Sequence, residues 1–300
     1  MTKYILGGGL SGLVAAYYNP EYTLVTPELG GFIDSKFGRA FVVLHATDGM
    51  RDLFRDLGVR SFEKRIELAY YDHDWSDAGV STSFDSEMTE KTFARRYIEE
   101  KLPERFQPGK DLELSAPGDS WEALFVDSSI VSALADEVRN RRFGWVKDVS
   151  DDVITLQPET GSTEELEYEH VVSTLPATLF RKVADVSWDL DFVPTTYGEL
   201  PREKVPERYL EKPWNVLYTV DPSVEYHRVV RNMLSSRYYV ECLGDVDVYG
   251  ATDQATNQNG VIQNADLTPP NDRITFLGRY AEWQHERRID HVIEKAREGL

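Results

Sequence analysis

Between an apolar run, Lys3 to Leu6, and a helical pattern, Leu10 to Tyr18, the chain places Gly7-Gly8-Gly9-Leu10-Ser11-Gly12. No other stretch limits the fold as much. The spacing fits G-x-G-x-x-G, in which each glycine has a physical task. Gly7 permits a tight turn, Gly9 lets a pyrophosphate come up to the backbone, and Gly12 lets the helix pack closely on the strand. The helix N-terminus, with Leu10 and Ser11 in its first turn, offers N–H groups and a partial positive charge to phosphate oxygens. Leu13, Val14 and Tyr17 fall on related helix faces, and Ala15 is small where the helix crosses the sheet. Glycines at this spacing also mark plain turns; the flanking strand and helix favour a dinucleotide.

A second strand is expected over Glu21 to Thr26, and the nearest acid after it is Glu28. An acid at this point binds the ribose hydroxyls of the adenosine half. Pro27 occupies the place an acid would take in the alternative register.

Composition narrows the function classes. The formal net charge is −19, from 52 acidic against 33 basic residues, which disfavours non-specific binding to nucleic acid and to anionic membranes. No apolar stretch approaches the ~20 residues that span a bilayer, and no secretory signal is read at the first residues, where the apolar run breaks at Gly7. The single cysteine, Cys242, allows no intrachain disulfide and no cysteine-based zinc site. His73, His170 and His291 show no metal-ligand spacing, so no metal is expected. Nor is there a nucleophile elbow, a P-loop or an H-E-x-x-H motif. The reading is a cytoplasmic protein.

After the second strand comes Leu29-Gly30-Gly31-Phe32-Ile33-Asp34-Ser35. The Gly30-Gly31 pair resembles flavoproteins of the amine oxidase, protoporphyrinogen oxidase and UDP-galactopyranose mutase group, in which the pair lets the backbone run beside FAD. Many amine oxidases have Arg next; Phe32 here is closer to the mutase branch. Three further stretches resemble the group in order. Residues 116–138 look like its Pro-Gly turn and helix, followed by two strands from Phe143 to Leu156, with Val146 as the implied adenine contact. Tyr168 to Phe180 looks like the strand re-entering the FAD domain, ended by Pro176. Ile274 to Ala296 runs strand, Gly278-Arg279, an aromatic loop and a helix, and in the group this Gly-Arg lies beside the FAD pyrophosphate.

The resemblance implies an α/β fold: a Rossmann-like FAD-binding domain of the GR2 type, from residues 1–49, 116–186 and 269–300, with a discontinuous α+β substrate domain from 50–115 and 187–268. In the second part, Glu90 to Leu102 reads as an amphipathic helix and the aromatic, β-branched runs after 187 read as a sheet. Residues 251–267 are polar and read as a surface loop or a lid.

His45 lies where the mutases place a histidine close to the flavin; a hydrogen-bonded core histidine is the plainer alternative. A neutral imidazole there orients substrate, tunes the flavin or shuttles a proton. Arg228, in Tyr226-His227-Arg228, resembles an active-site arginine that grips an anionic group, against the alternative of a surface ion pair. Trp283 and His285 stand where the group has its flavin-edge residues.

The leading reading is an FAD-dependent oxidoreductase acting on a small polar substrate at a C–N bond, either a free amine or one carried on a nucleoside or sugar. The second is a mutase-like isomerase using reduced FAD, for which residues 50–115 are shorter than the usual helical domain. The third is a flavin-binding protein without turnover. The partner in the first two is a small molecule, and the sequence leaves the oligomeric state open.

Overall fold

In the computed structural model, the residues described are 2–35, 37–38, 44–73, 80–82, 87–101, 122–125, 129–232, 237–262, 265–284 and 287–300. The chain divides into two compact units: Met1–Glu63, Leu124–Asp191 and Ile262–Leu300 form the first, and Lys64–Ala123 with Phe192–Val261 form the second.

The first unit is built on five parallel strands in the order Ile274–Phe276, His170–Ser173, Lys3–Leu6, Thr23–Thr26, Arg141–Phe143. Side chains alternate across a strand, and here both faces are covered. Ile5, Leu24 and Val172 join one hydrophobic cluster; Tyr4, Leu6, Val25 and Val171 join another. This is why the three inner strands run buried at consecutive positions rather than alternating, as in parallel sheets, while the edge strand Arg141–Phe143 is exposed. On the first face lies the helix Leu10–Tyr18, packed against Ser129–Glu137 and Ile289–Glu298. It contributes Leu13, Val14, Ala15 and Ala16 to the cluster. The helix Asp48–Asp56 also packs on Ile289–Glu298, its N-terminus capped by Thr47 Oγ1, which accepts from the Met50 N–H. On the other face is an antiparallel three-stranded sheet of Trp145–Val149, Val153–Gln157 and Glu164–Glu167. Its first two strands are joined by the turn at Asp151-Asp152.

The second unit holds a six-stranded sheet in the order Asp253–Ile262, Phe192–Leu200, Tyr238–Leu243, Tyr226–Arg231, Val216–Thr219, Leu68–Tyr71. The aromatic runs expected to form a sheet supply four of these strands. The helix Glu87–Lys101 buries Phe93, Arg96 and Tyr97.

One expectation is overturned. Residues 253–262 are neither loop nor lid but the edge strand of this sheet. An edge strand needs few apolar side chains, because backbone pairing on one side holds it. Here that pairing is tight: a Cβ on Gly260 would lie 2.5 Å from the Thr195 side chain. Among the described residues, no helix is long and apolar enough to cross a membrane.

Candidate functional site

The glycine motifs that lie far apart in the sequence meet in the first unit. Gly7 has φ 107°, a left-handed turn straight after the first strand, and Thr174 Oγ1 braces it by donating to the carbonyls of Leu6 at 2.9 Å and Gly7 at 3.2 Å. Gly9 is the N-cap of the helix Leu10–Tyr18, with no side chain capping the helix and no acid in its first turn. The first N–H groups of a helix have no partner within it, so this end is arranged to receive negative charge. A Cβ on Gly9 would meet no atom within 4 Å, whereas one on Gly12 would stand 1.8 Å from the Gly7 carbonyl oxygen. Gly9 therefore faces open space and Gly12 faces packed backbone.

The Gly30-Gly31 pair lies against the same turn. Gly30 N–H donates to the Gly8 carbonyl at 2.8 Å, Gly9 and Gly30 form a parallel bridge, and a Cβ on Gly31 would come within 3.3 Å of Gly9 Cα. Glu28 has an exposed side chain, while its backbone is fixed beside Gly8 by the Thr26 hydroxyl, which donates to the Glu28 carbonyl at 2.5 Å. From the far end of the chain, Gly278 (φ 96°) approaches Ser11 so closely that a Cβ would lie 2.8 Å from its Oγ. Glu282 Oε1 accepts from the Gly278 N–H at 2.8 Å, and Arg279 opens the short helix Arg279–Glu282. Leu10 and Ser11 thus open a helix whose N-terminus is ringed by Gly9, Gly31 and Gly278.

His45 belongs to this unit and is half-buried. Arg288 Nη1 donates to its Nε2 at 2.5 Å; a ring nitrogen that accepts is unprotonated, which puts the imidazole proton on Nδ1. Burial lowers its pKa, the Arg288 and Arg279 guanidiniums lower it further, and Asp290 opposes them. His45 is therefore neutral around pH 7. Trp283 is fully buried and ends the short helix in the left-handed region, at φ 55°. Val146 is partly buried against the second cluster. His285 lies outside the described residues.

In the second unit, Arg228 pairs with Glu241 at 2.5 Å across adjacent strands. Burial would raise the Glu241 carboxyl, but Arg228, His227 and Tyr197 outweigh it and hold the carboxyl at about 2. His227 is buried, hydrogen-bonded through Nδ1 to the Tyr97 hydroxyl, and lowered in pKa chiefly by burial. The guanidinium of Arg228 is thus committed to a carboxylate inside a polar network, not to a surface pair.

Thr174, Glu282, Arg288 and Glu241 escape a sequence reading. Thr174 and Arg288 act on residues 168 and 243 positions away. Glu282 and Glu241 act on nearer ones, through the turn of a short helix and the pairing of adjacent strands, so no spacing marks any of the four.

No family model matches the chain, and no curated protein does. Solved structures do match. A reduced UDP-galactopyranose mutase aligns at a TM-score of 0.64 and 12% identity, over 99% of this chain and 94% of that one. A CLA-producing fatty acid isomerase from P. acnes aligns at 0.61 and 11%, over 99% and 97%. A putrescine oxidase bound to putrescine aligns at 0.55 and 12%, over 99% and 97%. The fold is the expected one. It is an α/β fold with a Rossmann-like domain of the FAD-binding kind and a discontinuous α+β second domain. Identities this low speak for the fold alone.

Proposed function

We propose that this chain is an FAD-dependent oxidoreductase acting on a small polar substrate at a C–N bond. One observation carries the reading: Gly9, Gly31 and Gly278, from three separate segments, line an uncapped helix N-terminus with room for a ligand at Gly9. This cradle fits a pyrophosphate, which needs bare backbone and unpaired N–H groups. In this reading Leu10 and Ser11 supply N–H donors, Arg279 adds positive charge, Glu28 meets the ribose and Val146 the adenine.

Bound FAD would supply the two-electron chemistry; the protein supplies position and electrostatics. His45, neutral with its proton on Nδ1, orients the substrate or moves a proton. Arg228 steadies the second unit through Glu241, and Trp283 holds the turn after Arg279 by packing.

A second reading, an isomerase using reduced FAD, is supported by the likeness to a mutase and an isomerase. Both readings are tested by the absorption spectrum of the purified protein after incubation with FAD and desalting. A flavin band is expected in the wild type and none in Gly9→Val, whose side chain would fill the ligand's space while leaving the fold intact. No band in the wild type sinks both. With FAD bound, anaerobic bleaching by amines supports oxidation; turnover of UDP-galactopyranose only after dithionite supports the isomerase.

A further inference from the structure

Two neighbouring arginines differ in what they hold. Arg287 Nε lies 3.3 Å from Glu282 Oε2, an ordinary ion pair. Arg288 is exposed, and among the described residues its hydrogen bonding is the single bond from Nη1 to His45 Nε2. A guanidinium carries five N–H donors and always bears charge. In a chain with 52 acidic and 33 basic residues, a guanidinium with no carboxylate partner among the described residues stands out. Arg288 and Arg279 both lower the His45 pKa while Asp290 raises it, which puts a second guanidinium close to the same imidazole. Arg279 follows Gly278, which packs on Ser11 at the cradle. This pair of guanidiniums therefore adjoins the cradle rather than a distant surface.

The geometry points to an anion subsite: Arg288, with His45 fixing one edge of its guanidinium, binds a carboxylate or phosphate carried by the substrate. The inference rests on the flavoenzyme reading for the word substrate; the subsite itself rests on Arg288, Arg279 and His45. A guanidinium edge matches either oxyanion bidentately. The substrate class becomes an anionic small molecule, an amine bearing an acid group under the leading reading.

The test uses the full chain loaded with FAD, following its histidine ring resonances by NMR, with the His45 signal identified by its loss in His45→Gln. Inorganic phosphate and acetate are titrated separately, and the tighter binder names the group. Saturable movement of the His45 signal is expected, with its titration midpoint shifted to higher pH. Affinity should fall about tenfold or more in Arg288→Gln, recover partly in Arg288→Lys, and stay unchanged in Arg287→Gln. Equal weakening in Arg287→Gln, or none in Arg288→Gln, overturns the subsite. So does displacement of the anion when FAD is added to FAD-free protein, because the guanidinium then serves the cofactor. If the protein takes up no FAD, the flavin reading fails by itself. The same titration of the FAD-free protein then decides the subsite: a response dependent on Arg288 upholds it, and none overturns it.

Discussion

Gly12 packs so tightly on Gly7 that a Cβ added to it would lie 1.8 Å from the Gly7 carbonyl oxygen, while three residues back a Cβ on Gly9 would meet nothing within 4 Å. The two glycines of one motif therefore do different work. Gly12→Ala should destabilise the protein by about 2–4 kcal/mol, because the obstructing atom is backbone. Gly9→Ala should change stability by less than about 1 kcal/mol. Thermal unfolding of the ligand-free variants, compared at the same pH, checks the contrast; equal losses would contradict it.

The pair Arg228–Glu241 makes the second unit sensitive to acid. The Glu241 carboxyl is held at about 2, below the ~4.3 of an unfolded chain. Its contribution to stability is thus present above about pH 4.3 and disappears as the pH falls towards 2. Buried His227, also lowered, contributes a loss that starts higher, as the pH falls through about 6.5, where the unfolded imidazole gains its proton. Denaturant unfolding at pH 7, 5 and 3 should show both losses. Glu241→Gln should cost about 3–5 kcal/mol at pH 7, since it strands Arg228, and flatten the acid limb.

The edge strand Asp253–Ile262 depends on the close approach of Gly260 to Thr195. Gly260→Val should push the strand off the sheet while sparing the parallel sheet of the first unit. Amide exchange over 253–262 should then rise by at least about tenfold, equivalent to ~1.4 kcal/mol of local stability. Unchanged exchange would show that the pairing tolerates a side chain there.

Cys242 is buried, and its thiol is pushed up to about 12, chiefly by that burial. The thiolate is the reactive form. Native protein at pH 8 should give no fast reaction with a thiol reagent such as DTNB, and one equivalent should appear on unfolding. Rapid labelling of the folded chain would contradict the burial.

How far the sequence discloses all this depends on what each residue answers to. Gly7, Gly9 and Gly12 are legible because their roles are set by local backbone shape, and Lys3 to Leu6 because a strand covered on both faces must be apolar throughout. The strand 253–262 is not legible, because its polar side chains carry no signal and Phe192–Leu200 supplies the pairing. Arg228 reads as a site arginine or a surface pair; its partner Glu241 sits in an apolar strand run where no pattern marks it. The bond between Arg288 and His45 joins residues 243 apart in the chain, a distance over which no spacing rule operates.

The parallel sheet has one more implication, for synthesis. The opening strand Lys3–Leu6 lies between Thr23–Thr26, made soon after it, and His170–Ser173, whose outer neighbour Ile274–Phe276 comes near the end. On the ribosome the glycine turn must wait, half-paired, while the intervening chain is translated, since non-local pairing cannot form before its partners exist. The cradle is completed only when Gly278 arrives at Ser11. A nascent chain stalled before that point should hold the second unit's strands and still lack the packing of Gly278 on Ser11 that completes the surround of the helix N-terminus.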